Sequence, residues 1–226
     1  MEPHLTSSVS PALAPRPDIG RLAEPFVTGF PKMNPEAQRL ASTLYRLLAA
    51  GQPVSHEQLA AALDRPRERV DQTLAQWPGV FHDDAGRVIG FWGLALAPMT
   101  HKLTLGAKTL YAWCAWDTLF LPALLDATLG VESRCAESGA SIRLTVSPAG
   151  IHNVEPAATA VSFLDPDVQK LRENMTAHFC HFVHFFRSGA EAQRWCDRHP
   201  ATFVLTLEQA FALGAEVNAA RYPDIR

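Results

Sequence analysis

The run GVFHDDAGRVIGF, residues 79–91, decides the fold of the N-terminal half. Two short apolar segments flank Asp84 to Gly86, a polar stretch ending in glycine, which predicts a β-hairpin. Upstream, Asn34-Pro35-Glu36 places a capping side chain before a proline at the first helical position. Ala37, Leu40, Ala41, Leu44, Leu47 and Leu48 then recur at helical spacing until Gly51. Ser55 and Gln58 form a capping-box pattern for a second helix carrying Leu59, Ala62 and Leu63. Pro66 opens a third, with Val70, Leu74 and Trp77 on one face. Three helices followed by a two-stranded wing predict a winged-helix module over residues 34–97.

On either side the pattern changes. Residues 1–33 hold six prolines and little periodicity, so an irregular N-terminal arm is expected, with Phe26, Val27 and Phe30 free to dock on the body. Residues 98–226 read as α+β with a mixed, largely antiparallel sheet. Strands are expected at 101–105, 131–135, 141–146, 159–163, 177–186 and 203–207. Helices are expected over 111–128, after Asp165-Pro166, after Ser188, and through Val217.

Composition narrows the function classes. The chain has 226 residues, 47% hydrophobic, with a net charge of −3. That is enough apolar material for a core, and it gives no electrostatic reason to expect an anionic membrane as partner. The winged-helix segment 34–92 has six arginines and no lysine against seven acidic residues. DNA readers draw much of their affinity from neutralising phosphates, so no nucleic-acid partner is expected despite Arg65, Arg67 and Arg69. The opening MEPHLTSS lacks the pattern of a secretory signal, and no apolar run is long enough to cross a bilayer. Four cysteines, at 114, 135, 180 and 196, fall at no disulfide-framework spacing. Reduced thiols and a cytoplasmic location are the simpler expectation.

Two stretches carry chemistry. Tyr111-Ala-Trp-Cys-Ala-Trp-Asp117 sets a thiol three residues before a carboxyl, which a helix would place on one face. No basic residue occurs from Tyr111 to Ser133, so a carboxyl held among these aromatics should have a raised pKa and could serve as a proton donor. Its plainer role is to cap the next turn or to face solvent, and a single cysteine is ordinarily a small buried apolar side chain. His178-Phe-Cys-His-Phe-Val-His184 supplies a second thiol, Cys180. On a strand, His178, Cys180, Phe182 and His184 would share a face. That arrangement admits a metal site, although the spacing is no zinc signature and the histidines read equally well as ordinary sheet side chains.

The blocks LYAWCAWDTLFLPALL, CAESGASIRLTVSP, NVEPAATAVS, HFCHFVHFF and EQAFALGAEVN together resemble the bacterial organomercurial (alkylmercury) lyases, over about Asn34 to Asn218. The resemblance implies an enzyme that cleaves carbon–mercury bonds by protonolysis. It assigns Cys114, Asp117 and Cys180 as catalytic residues, with the two thiols holding mercury as substrate and product. It implies a structural role for Cys135 and leaves Cys196 without one. Where some members carry a cysteine directly after the second catalytic one, this chain has His181. Mercury(II) is soft and prefers thiolates, so the residue types suit the chemistry. Tyr111, Trp113, Trp116 and Phe179 are the expected pocket for the organic group. No resident cofactor is expected, only an exogenous low-molecular-weight thiol for product release, and the resemblance makes mercuric reductase the expected acceptor of Hg(II). Two other readings stay open: a metal-responsive winged-helix regulator, and a non-catalytic carrier using Cys180 with His178 or His184.

Overall fold

The computed structural model describes residues 17–30 and 32–224. The winged-helix reading of the N-terminal half matches the observed elements. Helices α2 (Pro35–Leu48), α3 (His56–Leu63) and α4 (Arg67–Gln76) precede the hairpin β1 (Val80–His82) and β2 (Val88–Phe91). Asn34 caps α2 by accepting from the Ala37 N–H, and Ser55 and Gln58 complete the capping box of α3. Arg65 and Arg67, at the start of α4, are tied to Glu36, Glu57 and Asp71 in ion pairs.

The wing does not end at its hairpin. Strand β2 pairs with the short β3 (Leu94–Ala95), which pairs with β5 (Lys108–Ala112). Strand β5 pairs with β4 (His101–Leu105), followed across the sheet by β6 (Leu129–Arg134), β7 (Ser141–Ser147) and β8 (Gly150–Glu155). The result is one eight-stranded antiparallel sheet in the order β1-β2-β3-β5-β4-β6-β7-β8. A second, three-stranded antiparallel sheet sets β9 (Ala160–Leu164) between β10 (Phe185–Phe186) and β11 (Thr202–Thr206). The remaining helices are α5 (Asp117–Leu125), α6 (Val168–His178), α7 (Gly189–Cys196) and α8 (Leu207–Arg221). Helix α8 packs against α5, and one contiguous apolar core runs through both halves.

Three expectations need correction. The arm is not irregular throughout: Ile19–Thr28 forms helix α1, capped by Asp18 and packed on α8, with Phe26 and Phe30 buried and Val27 half-buried. Residues 1–16 of the arm lie outside the described residues. Residues 111–116 are not helical. Tyr111 and Ala112 end β5, where backbone pairing to β3 and β4 outweighs local helical spacing, and α5 starts only at Asp117. Residues 177–186 are not a strand. Helix α6 runs to His178, a single 3-10 turn spans Cys180–Phe182, and only Phe185–Phe186 pairs in a sheet.

Candidate active site

Two turns meet beneath α1. One is the β5–α5 junction carrying Cys114, the other the 3-10 turn carrying Cys180. The Ala115 N–H donates to the Val183 carbonyl at 3.2 Å and clamps them together. Ser162 of β9 secures the second turn: its hydroxyl donates to the Phe182 carbonyl at 2.7 Å and accepts from the His184 N–H at 3.0 Å. Trp116 and Thr118 secure the first, the indole donating to the Ala210 carbonyl and the hydroxyl to the Ala115 carbonyl. Such doubly tied turns fix side chains that no regular element would orient.

Asp117 is the first residue of α5, and the helix begins without a side-chain cap from Trp116. Its carboxylate turns back instead and accepts from the Cys114 N–H at 2.8 Å. Thus Cys114 and Asp117 do adjoin, through a capped turn rather than one helical face. The ligand atoms of Cys114, Asp117 and Cys180 all lie within 4.8 Å of one another. Residue exposures are 1%, 4% and 5%.

Burial sets the electrostatics. It raises the Asp117 pKa to about 7, against hydrogen bonds from the Cys114 side chain and N–H that pull it down. The N-terminus of α5 should also favour the carboxylate, but burial prevails. Burial raises the Cys114 thiol well above its usual value, helped by its hydrogen bond to Cys180 and by the Asp117 charge. At Cys180 the hydrogen bond with Cys114 pulls down, yet burial and Asp117 together leave the thiol raised. Near neutral pH the two thiols therefore rest protonated while Asp117 is divided between its protonated and charged forms, and a thiophilic cation would displace the thiol protons.

Asp117 Oδ1 would lie only 2.7 Å from a β-carbon built on Gly93, whose φ is +90°. Only glycine fits the backbone here. The signal was a lone glycine at the exit of the wing, of the kind that marks close approach.

The site opens onto a cavity of about 40 Å³ lined mainly by aromatic and apolar side chains. Phe26 of α1 and Phe30 just beyond its end form one wall, and Trp116, Phe120 and Phe179 another. Tyr45 of α2 and Trp92 beside the wing complete the enclosure, so the N-terminal module contributes directly. Phe26 contacts Trp116 and Phe179 with ring centroids 4.8 and 4.9 Å apart. Of the four aromatics expected in the pocket, Trp116 and Phe179 line it. Tyr111 and Trp113 do not. Both are half-buried, and Trp113, just after β5, packs edge-on against Phe81. Phe26, Phe30, Tyr45, Gly93 and Ser162 were not legible as site residues, because each reaches the site from a remote element.

The other cysteines stand apart. Cys135 is buried and donates to Glu191, which also accepts from Ser138 and Arg187, a satisfied structural network. Cys196 is buried near the end of α7. Among the described residues, neither His178 nor His184 joins Cys180 in a group of three or more ligands able to share an ion.

Comparison with known proteins bears on this geometry. A family model described as alkylmercury lyase matches residues 94–218, and one described as the helix-turn-helix domain of alkylmercury lyase matches residues 9–92. The chain belongs to the alkylmercury lyase family. Its relatives in that family include the alkylmercury lyase of Staphylococcus epidermidis, 43% identical over 80% of this chain and 82% of the relative. That of Pseudomonas putida is 42% identical over 79% and 82%, and that of Streptomyces lividans 38% over 78% and 80%. A crystal structure of the mercury-bound form of MerB2 superposes with a TM-score of 0.75 at 27% identity, covering 89% of this chain and 98% of that one. The winged-helix module is thus a regular part of the alkylmercury lyase architecture.

Proposed function

We propose that this alkylmercury lyase family member cleaves carbon–mercury bonds by protonolysis, with Cys114 and Cys180 as mercury ligands and Asp117 as the proton carrier. The observation that carries the reading is the approach, within 4.8 Å, of two thiols distant in sequence and one buried carboxyl poised near neutrality.

In the first step a thiol captures R–Hg–X, and the mercury–sulfur bond forms as X departs with the thiol proton. The second thiol then adds to mercury and passes its proton to Asp117. With two sulfurs donating to the metal, the Hg–C bond weakens and negative charge gathers on carbon. Asp117 protonates that carbon, R–H leaves, and Hg(II) remains between the sulfurs. The balance is R–Hg–X plus two thiols giving R–H, HX and the bis-thiolate complex. No electron passes to an acceptor, so the step requires no redox cofactor. The raised Asp117 pKa matches the task, since an acid near neutrality can both take and give the proton at cytoplasmic pH. The aromatic cavity would hold R and exclude water from the carboxyl.

Release of Hg(II) from two sulfurs calls for competing thiols, which makes small cytosolic thiols the expected acceptors and mercuric reductase the expected next partner. The reading supports a cytoplasmic location, where such thiols are reduced. No described helix is long and apolar enough to cross a membrane.

Methane or benzene evolution from methyl- or phenylmercury in excess thiol tests the activity. Asp117→Ala should lower turnover by about 10²- to 10⁴-fold. Wild-type turnover retained in that variant would remove Asp117 from the mechanism, and retention in Cys114→Ser and Cys180→Ser would overturn the reading.

A further inference from the structure

One wall of the cavity is left over by the mechanism. Arg221, in the last turn of α8, lines the cavity and is only 7% exposed. Its Nη1 donates to the Phe26 carbonyl at 3.1 Å, but Nε and Nη2 are buried without a hydrogen-bond partner. The next residue, Tyr222, lines the same cavity, and its hydroxyl is buried beside the Tyr45 hydroxyl and the Arg221 guanidinium without a well-formed hydrogen bond to either. No carboxylate among the described residues pairs with Arg221. Its guanidinium instead lies over the Trp92 ring, 3.9 Å from the centroid.

A cation–π contact and one carbonyl bond leave most of a buried guanidinium's desolvation cost unmet. The cation also complements the C-terminus of α8, but that role needs no burial and leaves the free donors unexplained. Three unpartnered donors on adjacent residues, converging on a cavity that also exposes Asp117 and Cys180, make a cradle for an acceptor with negative charge.

We infer that Arg221 and Tyr222 form an anion subsite, which receives a halide or carboxylate brought in with the organomercurial. The anion is either the displaced ligand X or an acidic substituent on R. The inference rests on the lyase reading for its biological sense, but anion binding itself does not need mercury.

The first test therefore uses no mercury. Sodium acetate is titrated into the full-length protein at constant ionic strength while tryptophan emission is followed, Trp92 serving as reporter. A saturable change is expected in wild type, weakened about tenfold or more in Arg221→Met and partly kept in Arg221→Lys. Tyr222→Phe removes one donor with little change of shape and should weaken binding more modestly, which keeps the test valid if Arg221→Met fails to fold. No saturable response in wild type, or equal responses in wild type, Tyr222→Phe and Arg221→Met, would overturn the subsite. The second test compares phenylmercury with carboxyphenylmercury in excess neutral thiol. A rise in KM in Arg221→Lys confined to the carboxylated substrate assigns the anion to R. Equal rises for both, measured in single turnovers without added thiol so that X stays chloride or acetate, assign it to the leaving ligand. A purely structural Arg221 would move neither discrimination. Wild-type failure to cleave either compound would sink the lyase reading while leaving acetate binding to be judged separately.

Discussion

At the scale of single residues, Asp117 carries a stability cost that should be visible in solution. Its pKa is about 7 in the fold and close to 4 in an unfolded chain. A folded value above the unfolded one means that the native state binds more protons between these limits. Stability is then fully present below about pH 4 and declines as pH rises through about 7, by up to about 4 kcal/mol. Asp117→Asn keeps an oxygen to accept from the Cys114 N–H but cannot ionise. Denaturant melts of the two proteins should diverge from about pH 4.5 to pH 7 and then stay apart, in favour of the variant. Parallel stability curves across that range would show that the carboxyl is not held in a destabilising site. Such a cost is what a proton carrier among aromatics entails, since hydration would lower its pKa and weaken it as an acid.

At the scale of elements, α1 acts as the cover of the site, and its sequence disguised it. Pro25 lies inside the helix and further prolines precede it, which reads as an irregular arm. Proline here interrupts little, because the helix is stabilised mainly by burying Leu22, Ala23 and Phe26 against the body. Phe26→Ala should cost about 3–5 kcal/mol. It should also open a path to the thiols, so a disulfide reagent should label two cysteines faster than in wild type under native conditions. Unchanged labelling would mean that access runs by another route. The same contrast explains what could be read in advance. Caps and turns at Asn34, Ser55, Pro66, Asp84–Gly86 and Ser188 act locally and were legible. The β5–α5 junction and the 3-10 turn at Cys180 were not, because hydrogen bonds with distant partners, the Val183 carbonyl for the first and the Ser162 hydroxyl for the second, define them. The identities of Cys114, Asp117 and Cys180 stood out through residue chemistry even where their backbone was misread.

For the whole molecule, the sheet is the deciding feature. The wing strands β1 and β2 continue through β3 into β5 and β4, so backbone pairing crosses directly from the winged helix to the half that carries the thiols. Val54, between α2 and α3, adds a bridge to Val88 of the wing. Tyr45 donates from α2 to the Trp92 carbonyl at 3.0 Å, beside Gly93 and hence beside Asp117. Arg221 holds α1 through the Phe26 carbonyl, linking the C-terminal helix to the cover. A winged helix joined only by a linker could unfold alone, but here its loss would strip the β5 edge and empty one wall of the cavity. The chain should therefore melt as one cooperative unit. Calorimetry should give a single transition whose calorimetric and van't Hoff enthalpies agree. Near-ultraviolet dichroism, which reports aromatic residues in both halves, should follow the same midpoint as far-ultraviolet dichroism. Two resolved transitions would show that the N-terminal module is an independent domain, and that the site can survive without the walls supplied by Tyr45 and Trp92.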